Sequence, residues 1–357
     1  MSIATITFGE NVLALEDLNR YAPKSTFEHD TLRFLKEWCS GASTFKMKTS
    51  GSTGKPSDII LTRHQMEASA KASIKAFGLK SGDPIHLCLN TNFIAGKMML
   101  VRAVTGQMNI IAEEPKNIPE RIDDTIRFTA LVPLQLEGLL KNGTTITTLN
   151  KLKAIIVGGA PVNELLVEKL QSLICPVYAT FGMTETATHI ALCKLNGSDK
   201  SEFYRTLEGV EIGMDQRKCL TISAPMTNYK TIVTNDKVRI VNNREFEWLG
   251  RWDNIINSGG IKIQVEQVEK IVAHYFKREK INQRFFVGPM KDNKLGQKMI
   301  LCLEGSQASS LLNSSLLISL KSFLPAYHTP KEMFFIKKFA ETPTGKIDRK
   351  KTLSIIS

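Results

Sequence analysis

The chain has 357 residues, 42% hydrophobic and 23% charged, which is enough for two packed cores and too apolar for a disordered chain. Its six cysteines are scattered without a Cys-x-x-Cys pair, which argues against a disulfide scaffold and a structural zinc site. The start, MSIATITFGE, does not resemble a leader, and no apolar run reaches the roughly 18 residues of a membrane span. These features predict a cytoplasmic protein.

The net charge of +12 is unevenly distributed along the chain. Residues 251–357 hold 18 Lys and Arg against 9 Asp and Glu, so this segment carries most of the excess. A basic segment attracts nucleic acid, an anionic membrane or a small polyanion through the same field. A solvated lysine-rich surface is a common alternative, and charge alone does not choose among these.

Short apolar runs alternate with segments of helical period through the first part of the chain. Residues 63–77 predict an amphipathic helix, 85–90 a buried strand and 96–106 a helix with an apolar face. Residues 153–159 predict a strand that ends in a Gly-Gly turn, and after a further helix residues 176–182 predict another strand. This succession is typical of a sheet with crossover helices, in which ligands lie at the carboxyl ends of the strands.

From about residue 220 the pattern becomes β-rich, and after residue 264 it indicates a compact α+β unit. We therefore predict an α/β protein with a boundary near Gly250–Asp253. A large N-terminal domain of β-sheets wrapped by helices would span residues 1–250. A small, mobile α+β domain would span residues 251–357.

The segment TSGSTGKPS combines small hydroxyl side chains, two glycines and a lysine. Backbone N–H groups and hydroxyls packed in this way suit a polyphosphate. Gly51 and Gly54 are only two residues apart, so the segment is not a Walker A loop. A flexible Gly/Ser connector is the structural alternative. The candidate phosphate-binding residues are Thr49, Ser50, Gly51, Ser52, Thr53, Gly54 and Lys55.

Further motifs follow this segment along the chain. They are GGAP (158–161), FGMTE (181–185), TND (234–236), GRWDNIINSGGIKI (250–263) and PTGK (343–346). In this order and spacing the chain resembles the adenylate-forming enzymes, the superfamily that contains acyl- and aryl-CoA ligases, luciferases and peptide-synthetase adenylation domains. The resemblance implies an AMP-forming acid–thiol ligase that uses ATP, Mg²⁺ and coenzyme A.

The resemblance also implies roles for individual residues around ATP. The Thr49–Lys55 loop would hold the β- and γ-phosphates, Thr184 would contact phosphate, and Glu185 would supply a hard oxygen ligand for Mg²⁺. Asp236 would accept both ribose hydroxyls, with Arg251 at the ribose or α-phosphate. A surface ion pair is the structural alternative for both Asp236 and Arg251. Gly159, Ala160 and Pro161 are expected along the adenine, with an ordinary strand-to-helix turn as the structural alternative. Phe181 and Gly182 are further candidates for binding the nucleotide.

The basic C-terminal segment would complete the reaction centre. Lys346 would be delivered to the reacting carboxylate and α-phosphate as the small domain closes, and the domain would then rotate about the hinge residue Asp253. Gly259 and Gly260 would border a narrow tunnel for the pantetheine arm of coenzyme A, because they lack Cβ atoms.

Three departures from the family pattern stand out. Ser57 occupies the position of a second loop lysine, which would leave phosphate binding either more dependent on Lys55 or weaker. Asn235 replaces the usual glycine of Thr-Gly-Asp, and since asparagine tolerates the left-handed backbone conformation that glycine would adopt, a left-handed turn can survive here. Only 48 residues precede the phosphate loop, so part of the first subdomain is expected to be missing or reduced.

The segment 90–103 is expected to contact the acid. Together with the short N-terminus, it is similar to the short bacterial o-succinylbenzoate:CoA ligases of menaquinone biosynthesis. Phe93 would form an aromatic wall, and Lys97 and Arg102 are candidates for binding the second carboxylate of an aromatic dicarboxylic acid. An equal alternative is that both are solvent-facing helix charges, since two residues five positions apart do not share one face of a helix.

Two further functions stay open at this stage. One is a ligase for another acid, or an enzyme that loads a carrier protein. The other is a basic nucleic-acid-binding protein, which lacks support because aromatic residues are not interleaved with the basic runs. We therefore expect small-molecule partners and no nucleic acid or membrane span. The sequence does not decide whether the enzyme forms a homo-oligomer.

Overall fold

A computed structural model describes residues 4–48, 58–141, 146–305, 313–341 and 347–356. In the first part of the chain the strands and helices are β1 (Thr5–Phe8), β2 (Asn11–Ala14), α1 (Thr26–Cys39), β3 (Thr44–Lys48), β4 (Asp58–Thr62), α2 (Arg63–Ala76), β5 (Pro84–Leu87), α3 (Ile94–Gly106), β6 (Asn109–Ala112), β7 (Phe128–Leu131), α4 (Pro133–Lys141), α5 (Ile146–Leu149), β8 (Ala154–Val157), α6 (Glu164–Leu170), β9 (Val177–Gly182) and β10 (His189–Lys194).

The remaining elements are β11 (Tyr204–Thr206), β12 (Glu211–Met214), β13 (Cys219–Ser223), β14 (Ile232–Asn242), β15 (Glu245–Arg251), β16 (Ile255–Ser258), β17 (Ile261–Gln264), α7 (Val265–Arg278), β18 (Phe285–Asp292), β19 (Gly296–Glu304), α8 (Asn313–Lys321), β20 (Glu332–Ile336) and α9 (Arg349–Leu353).

A 13-stranded sheet runs through the first 251 residues in the order β12-β13-β14-β15-β11-β10-β9-β8-β7-β5-β6-β1-β2. The strands from β1 to β9 in this order pair in parallel, and those from β9 to β12 pair antiparallel. β7 and β8 are buried at every position, as expected for central parallel strands covered on both faces. The predicted α/β fold is confirmed.

A second, 5-stranded sheet contains β16 to β20, with the order β17-β16-β19-β18 and β20 paired to β19. Helix α7 covers it through apolar residues at helical spacing, among them Val268, Val272 and Phe276. This sheet and helix form their own hydrophobic core, separate from the cores around the large sheet. The boundary between residues 250 and 251 remains a prediction.

A two-stranded hairpin, β3–β4, lies outside both large sheets. Phe45, Met47 and Leu61 bury its inner face in the main core. Strand β4 leads directly into α2, which begins at a capping box in which the Thr62 and Gln65 side chains satisfy each other's backbone N–H groups. This arrangement fixes the direction in which α2 leaves β4.

Most of the predicted elements occur in the structure with shifted ends. In the β-rich region after residue 220, residues 232–242 form one continuous strand, β14, which pairs with β13 and β15. None of the helices in the described ranges has the length and apolar composition needed to cross a bilayer.

Candidate active site

The loop between β9 and β10 carries the Thr184 and Glu185 motif. Strands β9 and β10 are antiparallel neighbours, so residues 183–188 form a hairpin loop, with a short 3₁₀ turn at Thr184–Thr186. Glu185 is half-buried in this turn. The turn packs against β4, the strand that follows the predicted phosphate loop. The fold therefore brings the Thr184–Glu185 motif next to the strand that follows the predicted phosphate loop in the chain.

Close backbone packing explains the glycine at the start of this loop. A Cβ on Gly182 would overlap the Thr188 carbonyl oxygen and lie 2.5 Å from the His189 Cα. Phe181 packs edge-on against Phe246 of β15, with ring centroids 5.1 Å apart. These contacts fix the β9 end of the loop against the antiparallel half of the sheet.

The predicted adenine turn lies at the carboxyl end of the neighbouring strand, β8. Gly159 has φ +81°, which favours glycine, and Pro161 is exposed. A Cβ on Gly158 would lie 2.5 Å from the Thr180 hydroxyl oxygen of β9. The structure therefore brings Gly159, Ala160 and Pro161 to the same sheet edge as Gly182.

Asp236 lies on β14, opposite Arg251 of β15. Its side chain is 8% exposed and accepts a 2.9 Å hydrogen bond from the Trp248 indole N–H. Burial raises the pKa of the Asp236 carboxyl above its ordinary value, although Trp248 and Arg251 oppose this effect. A buried carboxylate with free acceptor capacity is a chemically suitable ligand for ribose hydroxyls.

Arg251 is directed to the predicted hinge residue. Its guanidinium donates two hydrogen bonds to Asp253, at 2.8 and 2.7 Å. Its backbone N–H donates to Glu266 at 3.3 Å, and its carbonyl accepts from Gln264 at 2.8 Å. In this conformation Arg251 therefore ties the predicted hinge to α7, and its ribose or α-phosphate role stays a prediction.

The expectation of a left-handed turn at Asn235 is wrong. Thr234, Asn235 and Asp236 lie inside strand β14, and Asn235 is not among the described residues with positive φ. Its side-chain oxygen accepts from Arg217 at 2.9 Å, and its carbonyl accepts from the Trp252 N–H at 2.7 Å. These bonds hold the segment extended, so no glycine-like conformation is needed.

Helix α3 places the three candidate acid-binding residues. Phe93 immediately precedes the helix and is half-buried. Lys97 faces α1 and β3, with its ammonium 3.5 Å from the Lys46 carbonyl and 5.4 Å from the Phe34 ring centroid. Burial lowers the pKa of Lys97.

Arg102 lies on another side of α3 and is 2% exposed. Its guanidinium is 3.4 Å from the Thr188 hydroxyl in the hairpin loop and 3.4 Å from the Met99 sulfur. The structure therefore separates Lys97 from Arg102, and only Arg102 reaches the loop that carries Thr184 and Glu185.

Gly259 and Gly260 form the two-residue turn between β16 and β17. Their φ values are +59° and +85°, as a tight hairpin turn requires. A Cβ on Gly260 would meet no atom within 4 Å, so this position faces open space. The turn is compatible with a narrow ligand passing over it.

Two predicted segments lie outside the described residues. They are the phosphate loop, Thr49–Lys55, and Lys346 in the PTGK motif. The strands on either side of the loop, β3 and β4, pair with each other, with Thr44 opposite Thr62 at one end and Lys48 opposite Asp58 at the other. Ile347, the residue after Lys346 in the chain, forms an isolated β-bridge with Glu341.

Two surface cavities, of about 450 and 330 Å³, are lined by residues other than these candidates. One is lined mainly by residues 207–212, and the other lies between β1 and the segment after β6. Within the described ranges, no three His, Cys, Asp or Glu side chains form a metal-binding group. A single carboxylate such as Glu185 suits a Mg²⁺ ion held chiefly by ATP phosphates.

Sequence reasoning missed Trp248 and Ser69. Trp248 donates to Asp236, and the alternation of EFEWLGR would have placed it across from β14. The Ser69 hydroxyl on α2 lies 2.7 Å from the Thr188 hydroxyl. A serine on a helix face gives no sequence signal of a partner 119 positions away.

A family model described as AMP-binding enzyme matches residues 31–244. The chain belongs to the AMP-binding enzyme family. A solved relative named acyl-CoA synthetase (AMP-forming)/AMP-acid ligase II-like protein, from Dyadobacter fermentans DSM 18053, is 39% identical. That match covers 95% of this chain and 97% of the relative, with a TM-score of 0.62. The predicted class, an AMP-forming acid–CoA ligase, is confirmed at the level of the family.

Two other relatives carry more specific names. A 2-succinylbenzoate–CoA ligase from Listeria monocytogenes serotype 4b (strain F2365) is 25% identical, covering 93% of this chain and 74% of that protein. The o-succinylbenzoate coenzyme A synthetase (MenE) from Bacillus subtilis, solved with ATP and a magnesium ion, is 20% identical. It covers 86% of this chain and 69% of that structure with a TM-score of 0.68, a likeness of fold.

We expect Asp236→Asn to stabilise this AMP-binding enzyme while weakening ATP binding. Because burial raises the folded-state pKa of Asp236, its ionisation disfavours the folded state above that pKa. The Tm of the variant should therefore exceed that of the wild type at pH 7. The difference should vanish as the pH falls through the raised pKa toward the ordinary value of about 4.

Thermal melts from pH 4 to 8 and the KM for ATP test this expectation. The KM should rise about tenfold, since an amide accepts ribose hydroxyls less strongly than a carboxylate. A lower Tm at pH 7, or a Tm difference that does not depend on pH, would contradict it.

We expect Gly260→Leu to slow acyl transfer to coenzyme A about tenfold while adenylation stays within about twofold. The leucine would project into the open space above the β16–β17 turn. Single-turnover assays of the two half-reactions provide the measurement. Gly41→Leu is the matched control, because Gly41 has φ +86° and an equally open Cβ direction. Unimpaired transfer in Gly260→Leu would remove the reason for placing coenzyme A there.

Proposed function

We propose that this enzyme activates o-succinylbenzoate and transfers it to coenzyme A. A carboxylate oxygen attacks the α-phosphorus of ATP, the bond to the β-phosphate oxygen breaks, and pyrophosphate leaves. The coenzyme A thiolate then attacks the acyl carbonyl of the adenylate and AMP leaves. The names of the relatives support this acid. The environment of Arg102 is the structural observation that supports it most.

Arg102 is 2% exposed, and burial is the sole cause of its lowered pKa, with no carboxylate among the described residues opposing it. Its Nε is a buried donor with no hydrogen-bond acceptor. Burial lowers the pKa of Arg102 to about 10, so the group is still charged at neutral pH. An uncompensated buried charge costs several kcal/mol, and the second carboxylate of a dicarboxylic acid would supply the missing counter-charge.

The histidine near Arg102, His189 at the start of β10, is neutral. His189 is buried and lies 3.1 Å from the Ser73 hydroxyl. Burial and, to a smaller extent, the Arg102 charge lower the pKa of His189 well below its ordinary value. Arg102 therefore carries the positive charge at this position, which favours an anionic substrate group there.

The ATP site would be assembled from several positions on the large sheet. Gly159, Ala160 and Pro161 would lie along the adenine, and Asp236 would bind the ribose. Thr184 would contact phosphate, while Glu185 would bind the Mg²⁺ carried by ATP. The packing of the Thr184–Thr186 turn against β4 supports a phosphate site between them. Lys346 would act on the α-phosphate.

A ligase for a different acid is the second candidate. The relative that is 39% identical is named as an acyl-CoA synthetase without a stated acid. Lys97 and Arg102 also contact different elements, so the pair would not bind one carboxylate together.

Acid-dependent exchange of pyrophosphate into ATP separates these candidates. The panel contains o-succinylbenzoate, benzoate, a medium-chain fatty acid and an amino acid. We expect the highest kcat/KM with o-succinylbenzoate. An equal or higher value with a monocarboxylic acid would overturn the proposed acid and leave the activated-acid class in place.

A further inference from the structure

Thr188 is the last residue of the hairpin loop that carries Thr184 and Glu185. Its carbonyl oxygen accepts a 2.7 Å hydrogen bond from the Thr186 hydroxyl and lies against Gly182. Through these contacts, Thr188 touches both the start of the loop and the 3₁₀ turn. Its position therefore affects the whole loop.

The backbone of this loop is strained. Ala187 has φ +60° and ψ −52°, a combination that an alanine adopts at a cost on the order of 1–3 kcal/mol. Such a conformation persists only when the surrounding contacts enforce it. The contacts of Thr188, the next residue, are the ones that tie this part of the loop to neighbouring helices.

The Thr188 side chain is held by two of those helices. Its hydroxyl lies 2.7 Å from the Ser69 hydroxyl of α2 and 3.4 Å from an Arg102 nitrogen of α3. Ser69 is fully buried, so it has no access to solvent as a substitute partner. The Ser69 bond is the shorter of the two and therefore the stronger constraint.

Helix α2 connects this contact to the other side of the predicted site. It begins directly after β4, and its first turn is fixed by the Thr62–Gln65 capping box. Strand β4 in turn follows the predicted phosphate loop and packs against the Thr184–Thr186 turn. The Ser69–Thr188 bond therefore joins the loop that carries Thr184 and Glu185 to the helix that follows β4.

We propose that Thr188, clamped by Ser69, is a positioning residue that sets Thr184 and Glu185 for MgATP. The inference rests on the proposed nucleotide role of these two residues and does not depend on which acid is activated. The Thr188 hydroxyl has its contacts with Ser69 and Arg102. It acts by holding a strained loop in one conformation.

The test compares hydroxyl removal with hydroxyl retention at the same position. Thr188→Val keeps the shape and removes the bond, Thr188→Ser keeps the bond, and Ser69→Ala removes the partner. Thr129→Val is the matched control, since it deletes a buried hydroxyl that lies 3.0 Å from His86 within the sheet. ATP affinity is measured by calorimetry with Mg²⁺ and with EDTA, alongside pyrophosphate exchange.

We expect Mg²⁺ to strengthen ATP binding in the wild type. In Thr188→Val and Ser69→Ala, the factor by which Mg²⁺ increases ATP affinity should be about tenfold smaller than in the wild type. The kcat of pyrophosphate exchange should also fall about tenfold. Their affinity for ATP in EDTA should stay within about twofold of the wild type. Thr188→Ser should keep both quantities at the wild-type level. The folded protein of Thr129→Val should also show wild-type values for both.

A Thr188→Val enzyme that keeps the full Mg²⁺-dependent gain would overturn the inference, as would equal losses in Thr188→Val and Thr188→Ser. If no acid in the panel is activated but MgATP binds, the proposed function fails and the affinity measurement still decides the role of Thr188. A wild type that binds ATP equally with and without Mg²⁺ would overturn the positioning role itself.

Discussion

Lys346→Ala is expected to lower adenylate formation by about 10²–10³-fold, because it removes the cation proposed to stabilise charge on the reacting carboxylate and α-phosphate. Transfer of the acyl group from preformed adenylate to coenzyme A should change by no more than about threefold. Single-turnover measurements of each half-reaction provide the test. Lys331→Ala, at an exposed lysine of the same segment, is the control.

The described residues on either side of the PTGK motif contact the second sheet and its helix. Arg349 of α9 donates to Glu269 of α7 at 2.8 Å, and Glu341 pairs with Arg284 at 2.8 Å. These contacts attach both flanks of the PTGK motif to the second sheet and its helix. Equal losses in the two half-reactions of Lys346→Ala would contradict the assigned role.

Arg102→Met is expected to lower kcat/KM with o-succinylbenzoate by about 10²–10³-fold, because one carboxylate would then be buried without a partner. With benzoate the loss should be no more than about threefold, since that acid has no second carboxylate. The Tm should rise, because a buried and unpaired guanidinium is replaced by an apolar side chain of similar length.

Lys97→Met is the matched control on the same helix, and it should affect the two acids equally. Arg102→Lys should retain more activity with o-succinylbenzoate than Arg102→Met, because it keeps the charge. It should remain below the wild type, because an ammonium lacks the two parallel N–H donors with which a guanidinium binds a carboxylate. Equal losses with both acids in Arg102→Met would show that Arg102 only supports the structure.

The elements of the parallel half-sheet could be predicted because their signals are local. The run AIIV in β8 is continuous and apolar, and the Gly-Gly turn after it marks where the strand ends. The family motifs could also be located, since each depends on a short run of residue types.

What could not be predicted depends on packing between distant segments. Asn235 is extended because Arg217 and Trp252 bond to it from other parts of the fold, which overrides its local preference for a turn. Arg102 is an ordinary helix charge in the sequence, whereas in the fold it is buried with its guanidinium 3.4 Å from the Thr188 hydroxyl. The Ser69–Thr188 contact arises in the same way.

Product analysis tests the central claim most directly. The enzyme is incubated with MgATP, o-succinylbenzoate and coenzyme A, and the nucleotides and thioester are quantified together. The account predicts AMP, pyrophosphate and o-succinylbenzoyl-CoA in equal amounts, with AMP release dependent on the acid. Formation of ADP and phosphate, or thioester without AMP, would contradict it.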